Sequence, residues 1–352
     1  MKRFFKVTLW SLLAVLLVFI VLTAISFGPF IKGAASVQKL DEGLYYMEYS
    51  GDDGFNGLLE NGGGSSSDEL LQYIIPFITK GHYNLPAPEQ SGADFGCSSL
   101  TVSTPDGDVL MGRNFDFPSA TALILHTKPK TGYETITTFN VEFFNMGEGW
   151  RPEGFMNQYI SLAGLFFALD GFNEKGLAIA DLMAGDNAVT HQDTGKPDLT
   201  TSSAIPFLLK NASDVDEALY LLSIIDMHSD IGAAHHYAMS DANGKSVVVE
   251  YVNNRMVVVK TPAVTNHYLC DEKHNVGLME QDKRYDYLCK RFETTGGVMD
   301  EKNLNTAIFS VSQAENEHSL GTAWTMVMNL TQKKVTYYSR RHYDNPFIFS
   351  ID

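Results

Sequence analysis

Cys97 is the residue of this chain whose surroundings best suit a nucleophile. It follows Gly96, and Arg113 and Asp116 lie a short distance further along the chain. The thiolate is the reactive form of cysteine, and a cation such as Arg113 favours it. A carboxylate such as Asp116 can hold an ammonium or thiol proton in place. On these residues alone two interpretations stay open: a catalytic thiol, or a structural cysteine near an Arg113–Asp116 salt bridge.

A predicted hairpin positions these side chains. Residues Leu100–Val102 and Val109–Phe115 are strand-like, and the sequence Pro-Asp-Gly at 105–107 is a turn signal between them. The returning strand would bring both charged side chains back beside the cysteine. Gly96 has no side chain, so its backbone can lie close to neighbouring groups and adopt strained conformations. A Gly96–Cys97 peptide bond that is to be cut would need this freedom.

Other hydrolytic and metal-binding motifs are absent from the sequence. There is no Gly-x-Ser-x-Gly elbow, which disfavours a serine α/β-hydrolase, and no His-Glu-x-x-His zinc motif. His235 and His236 are adjacent, and neighbours on a strand point to opposite faces, so they make a poor pair of ligands. Cys270 and Cys289 either form a disulfide in an oxidising compartment or stay two buried thiols. We therefore predict no metal and no cofactor.

The N-terminus has the pattern of a membrane anchor. Basic residues at 2, 3 and 6 precede an uncharged run from Val7 to Ile31, which Lys32 ends. At about 1.5 Å per residue, a helix of this length crosses a hydrocarbon core of about 30 Å. The basic residues should stay in the cytoplasm, which puts the rest of the chain outside the cell membrane on a single-pass anchor. The small residues at 33–36 leave open the alternative of a cleaved signal and a secreted protein.

Composition and element order bound the fold class. The net charge of −16 on 352 residues disfavours a nucleic-acid partner, because an acidic surface repels phosphate. Strand patterns come in antiparallel groups, clearest in a meander over 236–260. Ser213 can cap a helix, and two more helices are expected near 280–293 and 301–313. This order predicts α+β layers rather than a parallel βαβ sheet.

Five segments, in the right order, resemble those of the choloylglycine hydrolase family. That family includes bile salt hydrolases and penicillin V acylases, with acid ceramidase-like amidases as relatives. The first segment combines Cys97–Ser99 with Gly112–Phe117. The others are Asn173–Ala178, Val264–Asn266, Lys283–Tyr285, and closing strands from Trp324–Val327 through Tyr343–Asn345. The resemblance does not cover residues 1–96.

The resemblance implies a four-layer αββα sandwich of the N-terminal-nucleophile hydrolase type. In that family the nucleophile is the first residue of the mature chain, so Cys97 would supply both a thiol and a free α-amine that acts as its base. Arg113 and Asp116 would set the ionisation and position of that residue. The side-chain amide of Asn266 would donate into the oxyanion hole. Arg284 matches a late arginine of the family.

The sequence departs from the family at two places. Many relatives have asparagine where this chain has Met183; its backbone N–H would still be the second oxyanion donor, but side-chain contacts to the substrate would differ. The residues before Cys97 are the other departure, because they must be removed for the amine to exist. We therefore predict a cytoplasmic stub and transmembrane anchor at 1–32, a pro-segment at 33–96 and an amidase domain at 97–352.

The expected activity is hydrolysis of a linear, non-peptide amide. Candidate substrates are N-acyl amino acids, bile salt conjugates, penicillin V-like side chains and N-acyl lactones, and the oligomeric state is open. One rival is a membrane-anchored ligand-binding protein on an inactive hydrolase fold, in which Cys97 is never liberated. Another is a papain-like thiol protease, for which His267 is the candidate base.

Overall fold

The structure is a computed structural model that describes residues 10, 11, 17, 18, 24–81, 96–144, 146, 149–230, 232–279, 282–316 and 321–351. The anchor predicted at 7–31 therefore lies mostly outside the described residues. Its described C-terminal end belongs to helix α1 (24–35). Within these ranges, no helix is both long and apolar enough to span a bilayer.

Several helices begin at a capping side chain. Ser66, Asp214 and Asp300 each accept a hydrogen bond from a backbone N–H three residues further on, which satisfies a donor of the first helical turn. The cap predicted at Ser213 is therefore one residue too early. The described helices after α1 are α2 (Phe55–Glu60), α3 (Ser67–Thr79), α4 (Phe155–Ile160), α5 (Thr201–Asn211), α6 (Val215–Ser223), α7 (Arg284–Thr295) and α8 (Glu301–Ser310).

The strands assemble into two large sheets. The described strands are β1 (Gln38–Asp41), β2 (Leu44–Gly51), β3 (Gly96–Ser103), β4 (Val109–Asp116), β5 (Ala122–Pro129), β6 (Thr135–Asn140), β7 (Asp170–Asn173), β8 (Ala178–Met183), β9 (Asp198–Thr200), β10 (Asp226–His228), β11 (His235–Ser240), β12 (Ser246–Val252), β13 (Arg255–Lys260), β14 (Ala263–Val264), β15 (Thr322–Asn329), β16 (Lys334–Ser339) and β17 (Phe347–Ser350). The nine-stranded sheet has the order β1-β2-β5-β6-β7-β8-β11-β12-β13, and the six-stranded sheet has the order β14-β3-β4-β15-β16-β17. Neighbours in both sheets are antiparallel except β2 and β5, which confirms the predicted α+β class.

The two sheets pack face to face, and helices cover both outer faces. One core lies between the sheets and includes Phe115, Leu182 and Trp324. A second core joins the nine-stranded sheet to α3, α5 and α6, and a third joins the six-stranded sheet to α7 and α8. Since both faces of a sheet are covered, a central strand such as β4 is buried at every position. The molecule is a mixed α+β sandwich with four layers.

The residues predicted to form a pro-segment are part of this sandwich. Strand β2 extends the nine-stranded sheet by pairing with β5 along its whole length. Helix α3 buries one apolar face against the same core as α5. A buried ion pair of 2.6 Å joins Asp53 to Nζ of Lys210 on α5. The part of the chain before Cys97 therefore shares its core with the part after it.

Candidate active site

The predicted hairpin is confirmed and places Cys97 at the start of β3. In the antiparallel register of β3 and β4, Cys97 pairs with Phe115 and Gly96 pairs with Asp116. A Cβ atom on Gly96 would lie 2.8 Å from Oδ2 of Asp116, so a larger residue could not take this place without a shift. The bond predicted to be cut lies directly against this carboxylate.

The thiol of Cys97 is buried, with 1% of the residue exposed. Burial raises the pKa of the Cys97 thiol, and the carboxylates of Asp116 and Asp181 act in the same direction. Arg113 lowers this pKa through its charge and a hydrogen bond, but it does not offset burial. The group is therefore a neutral thiol at neutral pH, and it needs a base to become a nucleophile.

Arg113 is fully buried and faces the Cys97 sulfur. Its Nε lies 2.8 Å from Oδ2 of Asp170, and its Nη2 donates to the carbonyl of Asp181 at 2.8 Å. Asp170 also accepts a hydrogen bond of 2.8 Å from the indole of Trp324. These contacts hold the guanidinium in one place. The residues that make them are distant in sequence from Arg113, and the sequence analysis did not identify them.

Among the described residues, no salt bridge joins Arg113 to Asp116, so that alternative is wrong. Residues three apart on a strand point to opposite faces, so the two side chains diverge. Asp116 accepts a hydrogen bond of 2.5 Å from Oγ1 of Thr322 and lies 3.1 Å from Nη1 of Arg284. Burial raises the pKa of the Asp116 carboxyl, against the lowering effects of Thr322 and Arg284. Asp116 thus belongs to a second charged group, on the other side of the strand.

Arg284, the first residue of α7, joins the parts of the site. Its Nη1 donates to the carbonyl of Cys97 at 3.2 Å and to Asp116, and its Nη2 donates to Oδ1 of Asn266 at 3.1 Å. Asp282 holds the guanidinium with hydrogen bonds of 2.9 Å to Nε and 3.0 Å to Nη2. The sequence reasoning missed Asp282, although its place two residues before this arginine was a usable signal.

Asn266 contacts both Cys97 and Met183. Its Oδ1 accepts a hydrogen bond of 2.6 Å from the backbone N–H of Cys97. Its Nδ2 donates to the carbonyl of Met183, the last residue of β8, at 3.0 Å. A side-chain amide carries two N–H donors, so the second one can serve another acceptor. The structure brings the six predicted site residues together, and their catalytic roles stay predictions.

A cavity of about 650 Å³ lies beside this group. Its lining includes the polar residues Asp116, Asp282 and Arg284 and the apolar residues Phe117 and Val311. Of the six predicted site residues only Asp116 and Arg284 line it. A mixed polar and apolar wall suits a small molecule.

His267, the base that a papain-like mechanism would need, makes different contacts. Its Nδ1 lies 3.1 Å from Oγ1 of Thr265, and its ring packs edge-on against Tyr285 with the centroids 4.7 Å apart. Burial lowers its pKa. Among the described residues, no hydrogen bond joins this ring to Cys97. Cys270 and Cys289 are free thiols, so the alternative of a disulfide between them is wrong.

Comparisons with known proteins agree with the resemblance seen in the sequence. Residues 97–307 match the family of linear amide C–N hydrolases, choloylglycine hydrolase family. A penicillin V acylase of Pectobacterium atrosepticum is 30% identical over 105 residues, which are 27% of this chain and 28% of that protein. A bile salt hydrolase/transferase of Clostridium perfringens is 26% identical over 210 residues, which are 54% of this chain and 55% of that protein. The matched regions thus span 28% of the length of the first curated relative and 55% of the length of the second.

Two solved structures show the same fold. A conjugated bile acid hydrolase from Clostridium perfringens superposes with a TM-score of 0.52 at 19% identity, covering 73% of this chain and 92% of that one. A penicillin V acylase from Agrobacterium tumefaciens superposes with a TM-score of 0.50 at 18% identity, covering 73% and 86%. Because the family match spans more than half of the sequence, this chain belongs to the choloylglycine hydrolase family of linear amide C–N hydrolases.

Proposed function

We propose that this chain hydrolyses a linear, non-peptide C–N amide bond through a thioester on Cys97, after the Gly96–Cys97 bond has been cut. The observation that carries the proposal is the 2.6 Å hydrogen bond from the backbone nitrogen of Cys97 to Oδ1 of Asn266. Once the bond is cut, that nitrogen is the α-amine. Asn266 would then hold the amine next to a thiol that needs a base.

The acylation half of the reaction follows from these positions. The neutral α-amine takes the thiol proton, and the thiolate attacks the carbonyl carbon of the substrate. The resulting oxyanion is stabilised by the second N–H of the Asn266 amide and the backbone N–H of Met183. The C–N bond then breaks, and the leaving amine takes the proton from the ammonium group. The product is a thioester between the acyl group and the Cys97 sulfur.

Water completes the cycle. The α-amine accepts a proton from the attacking water, and hydroxide adds to the thioester carbonyl. The second tetrahedral intermediate expels the Cys97 thiolate, which recovers its proton from the ammonium group. A carboxylic acid is released.

Charged side chains position the reacting residue. Arg113 stabilises the thiolate form of the sulfur, because its cation faces that atom inside a buried site. Arg284 holds the carbonyl of Cys97 and the oxygen of Asn266 together. Asp116 anchors Arg284 from the other side of the strand.

The substrate class follows from the family of linear amide C–N hydrolases. We propose a small N-acyl amide among the candidates named above, with the apolar Met183 side chain giving a preference different from that of relatives with asparagine there. Attachment to the outer face of the cell membrane through residues 7–31 is proposed from the sequence pattern alone, with secretion after signal cleavage as the alternative. No nucleic acid, metal or cofactor has a part in this scheme.

An acyl-enzyme trapping experiment tests the proposal. The purified chain is incubated with a panel of N-acyl amides, quenched with acid, and digested for mass spectrometry, with Cys97→Ala as the control. We expect amide hydrolysis and an acyl adduct on the peptide that begins at Cys97. His267→Ala should keep both signals, whereas loss of activity in that variant would favour the thiol-protease rival. Ligand binding without hydrolysis or adduct would instead favour the binding-protein rival.

A further inference from the structure

A buried ion pair lies next to the site and has no part in the scheme above. His236 on β11 and Glu250 on β12 are direct partners in the antiparallel register of the two strands. Both side chains are completely buried. Nδ1 of His236 lies 3.3 Å from Oε1 of Glu250, and Nε2 lies 2.9 Å from the carbonyl oxygen of Thr265.

Both ring nitrogens of His236 make polar contacts. One faces a carboxylate and the other a backbone carbonyl, and both of these groups are hydrogen-bond acceptors. Glu250 also accepts backbone N–H groups from Leu269 at 2.8 Å and Cys270 at 2.9 Å, so three donors surround its carboxylate. Burial alone would raise the pKa of the Glu250 carboxyl. The hydrogen bonds from these three donors lower it by more than burial raises it, so the net pKa lies below the ordinary value and the carboxyl stays ionised.

The pair holds both ends of the segment that carries Asn266. His236 binds this segment at Thr265, and Glu250 binds it at Leu269 and Cys270. Between these points Asn266 presents its amide to Cys97, Met183 and Arg284. The backbone oxygen of Asn266 is also packed so closely that a Cβ on Gly185 would come within 2.3 Å of it. The pair therefore fixes a backbone on whose position the Asn266 amide depends.

We propose that His236 and Glu250 are positioning residues, which hold segment 265–270 so that the Asn266 amide is aligned for the oxyanion. This inference rests on the function proposed above. Neither residue contacts the substrate. The pair acts because a buried, hydrogen-bonded clamp on two paired strands is rigid, and a catalytic amide needs a fixed orientation.

A histidine away from the site provides a matched control. His228 on β10 is also buried. Its Nε2 lies 2.7 Å from Oδ1 of Asp198, and its Nδ1 lies 2.8 Å from Nδ1 of His191. It therefore makes the same kind of histidine–carboxylate pair, and among the described residues it makes no side-chain hydrogen bond to segment 265–270. Loss of this pair should destabilise the fold without moving Asn266.

The test compares His236→Gln with His228→Gln in the full-length protein. Both variants should unfold at lower temperature, because each loses the hydrogen bonds of a buried histidine. We expect His236→Gln to lower kcat by roughly 10-fold to 10²-fold with little change in KM, and His228→Gln to keep kcat within about threefold of the parent. Hydrogen exchange followed by mass spectrometry should show faster exchange over 265–270 in His236→Gln alone.

The outcomes separate this inference from the proposed function. If the parent chain has no amidase activity, the proposed function fails, while the exchange comparison still tests the clamp. Equal kcat losses in the two variants, or equal exchange over 265–270, would overturn the positioning role. If His236→Gln does not fold, Glu250→Asp replaces it, since it keeps the charge and shortens the reach. Failure of both to fold while His228→Gln folds would also overturn the proposal, because the pair would then be structural.

Discussion

The thiol of Cys97 is subject to opposite influences, and their balance explains why a base is needed. Burial in the core between the sheets raises its pKa, whereas the guanidinium of Arg113 lowers it less. A thiol that ionised by itself would need no amine. Here the nearest candidate base is the nitrogen of the same residue, which Asn266 already holds. The arrangement is therefore suited to a nucleophile and base within one residue.

Replacement of Cys97 tests its role as the nucleophile. Cys97→Ser should lose amidase activity and slow the cut at Gly96–Cys97, because one thiol would serve both steps. Hydrolysis of an N-acyl amide and denaturing gels measure the two effects. Cys289→Ser changes a thiol outside the site and should keep both. Full turnover by the serine variant would remove Cys97 from its assigned role.

Loss of the oxyanion donor should affect mainly the chemical step. Asn266→Ala should lower kcat by about 10²–10³ with a smaller change in KM, because the lost contact strengthens in the transition state. Steady-state kinetics measure both constants. Asn305→Ala, on α8, is the matched control and should leave them unchanged. A change confined to KM would make Asn266 a substrate-binding residue instead.

Asp282 should act through Arg284. Asp282→Asn keeps the shape of the side chain but removes the charge that fixes the guanidinium through Nε and Nη2. We expect kcat to fall by roughly 10-fold to 10²-fold because Arg284 would no longer be held against Asn266 and Cys97. Asp286→Asn, at an exposed position on helix α7, which begins at Arg284, should have parent-like kinetics. Parent-like kinetics in Asp282→Asn would show that Arg284 is held without it.

Some of these residues were predictable and others were not. The turn chemistry at 105–107 predicts the hairpin, and the hairpin register brings Asp116 to Gly96. The partners of the two charged side chains depend on which face each one points to and on strands far away in sequence. Asp170 for Arg113 and Thr322 for Asp116 are therefore visible only in the folded chain.

The secondary-structure elements before Cys97 belong to the same sandwich as those after it. The sequence does not indicate where β2 packs, because its parallel pairing with β5 joins residues that are distant along the chain. The antiparallel meander of β11, β12 and β13 is predictable, because short turns connect consecutive strands.

The packing of this segment leads to a prediction about the cut protein. Cutting at Gly96–Cys97 should give two fragments that stay together and co-purify under native conditions, because they share a sheet and a core. Denaturing gels should show a small N-terminal fragment and a larger one that begins at Cys97. Asp53→Ala should make the fragments separate at lower urea, because an unpaired buried lysine costs about 3–5 kcal/mol.

Glu60→Ala is the control for this variant, since Glu60 is exposed on α2. It should leave the urea dependence unchanged. Fragments that separate in native buffer without any substitution would contradict a shared core.

For the whole molecule, the site lies where the layers meet. Cys97 comes from the six-stranded sheet, Met183 from the nine-stranded sheet and Arg284 from the helix layer outside. Asn266 lies in the connection that follows β14. Sandwich geometry, rather than a continuous stretch of sequence, creates the site. The solved structures that resemble this chain share its fold at 18–19% identity.

In the proposed scheme the α-amine of Cys97 is the base, so activity should require the cut. A time course that follows the intact mass of the freshly purified chain and its rate of N-acyl amide hydrolysis tests this requirement. We predict that hydrolysis rises in proportion to the fraction of chain that begins at Cys97, as read by N-terminal sequencing. A single uncut species with full amidase activity would rule out the α-amine as the base, because an acylated α-amine cannot accept a proton from the thiol.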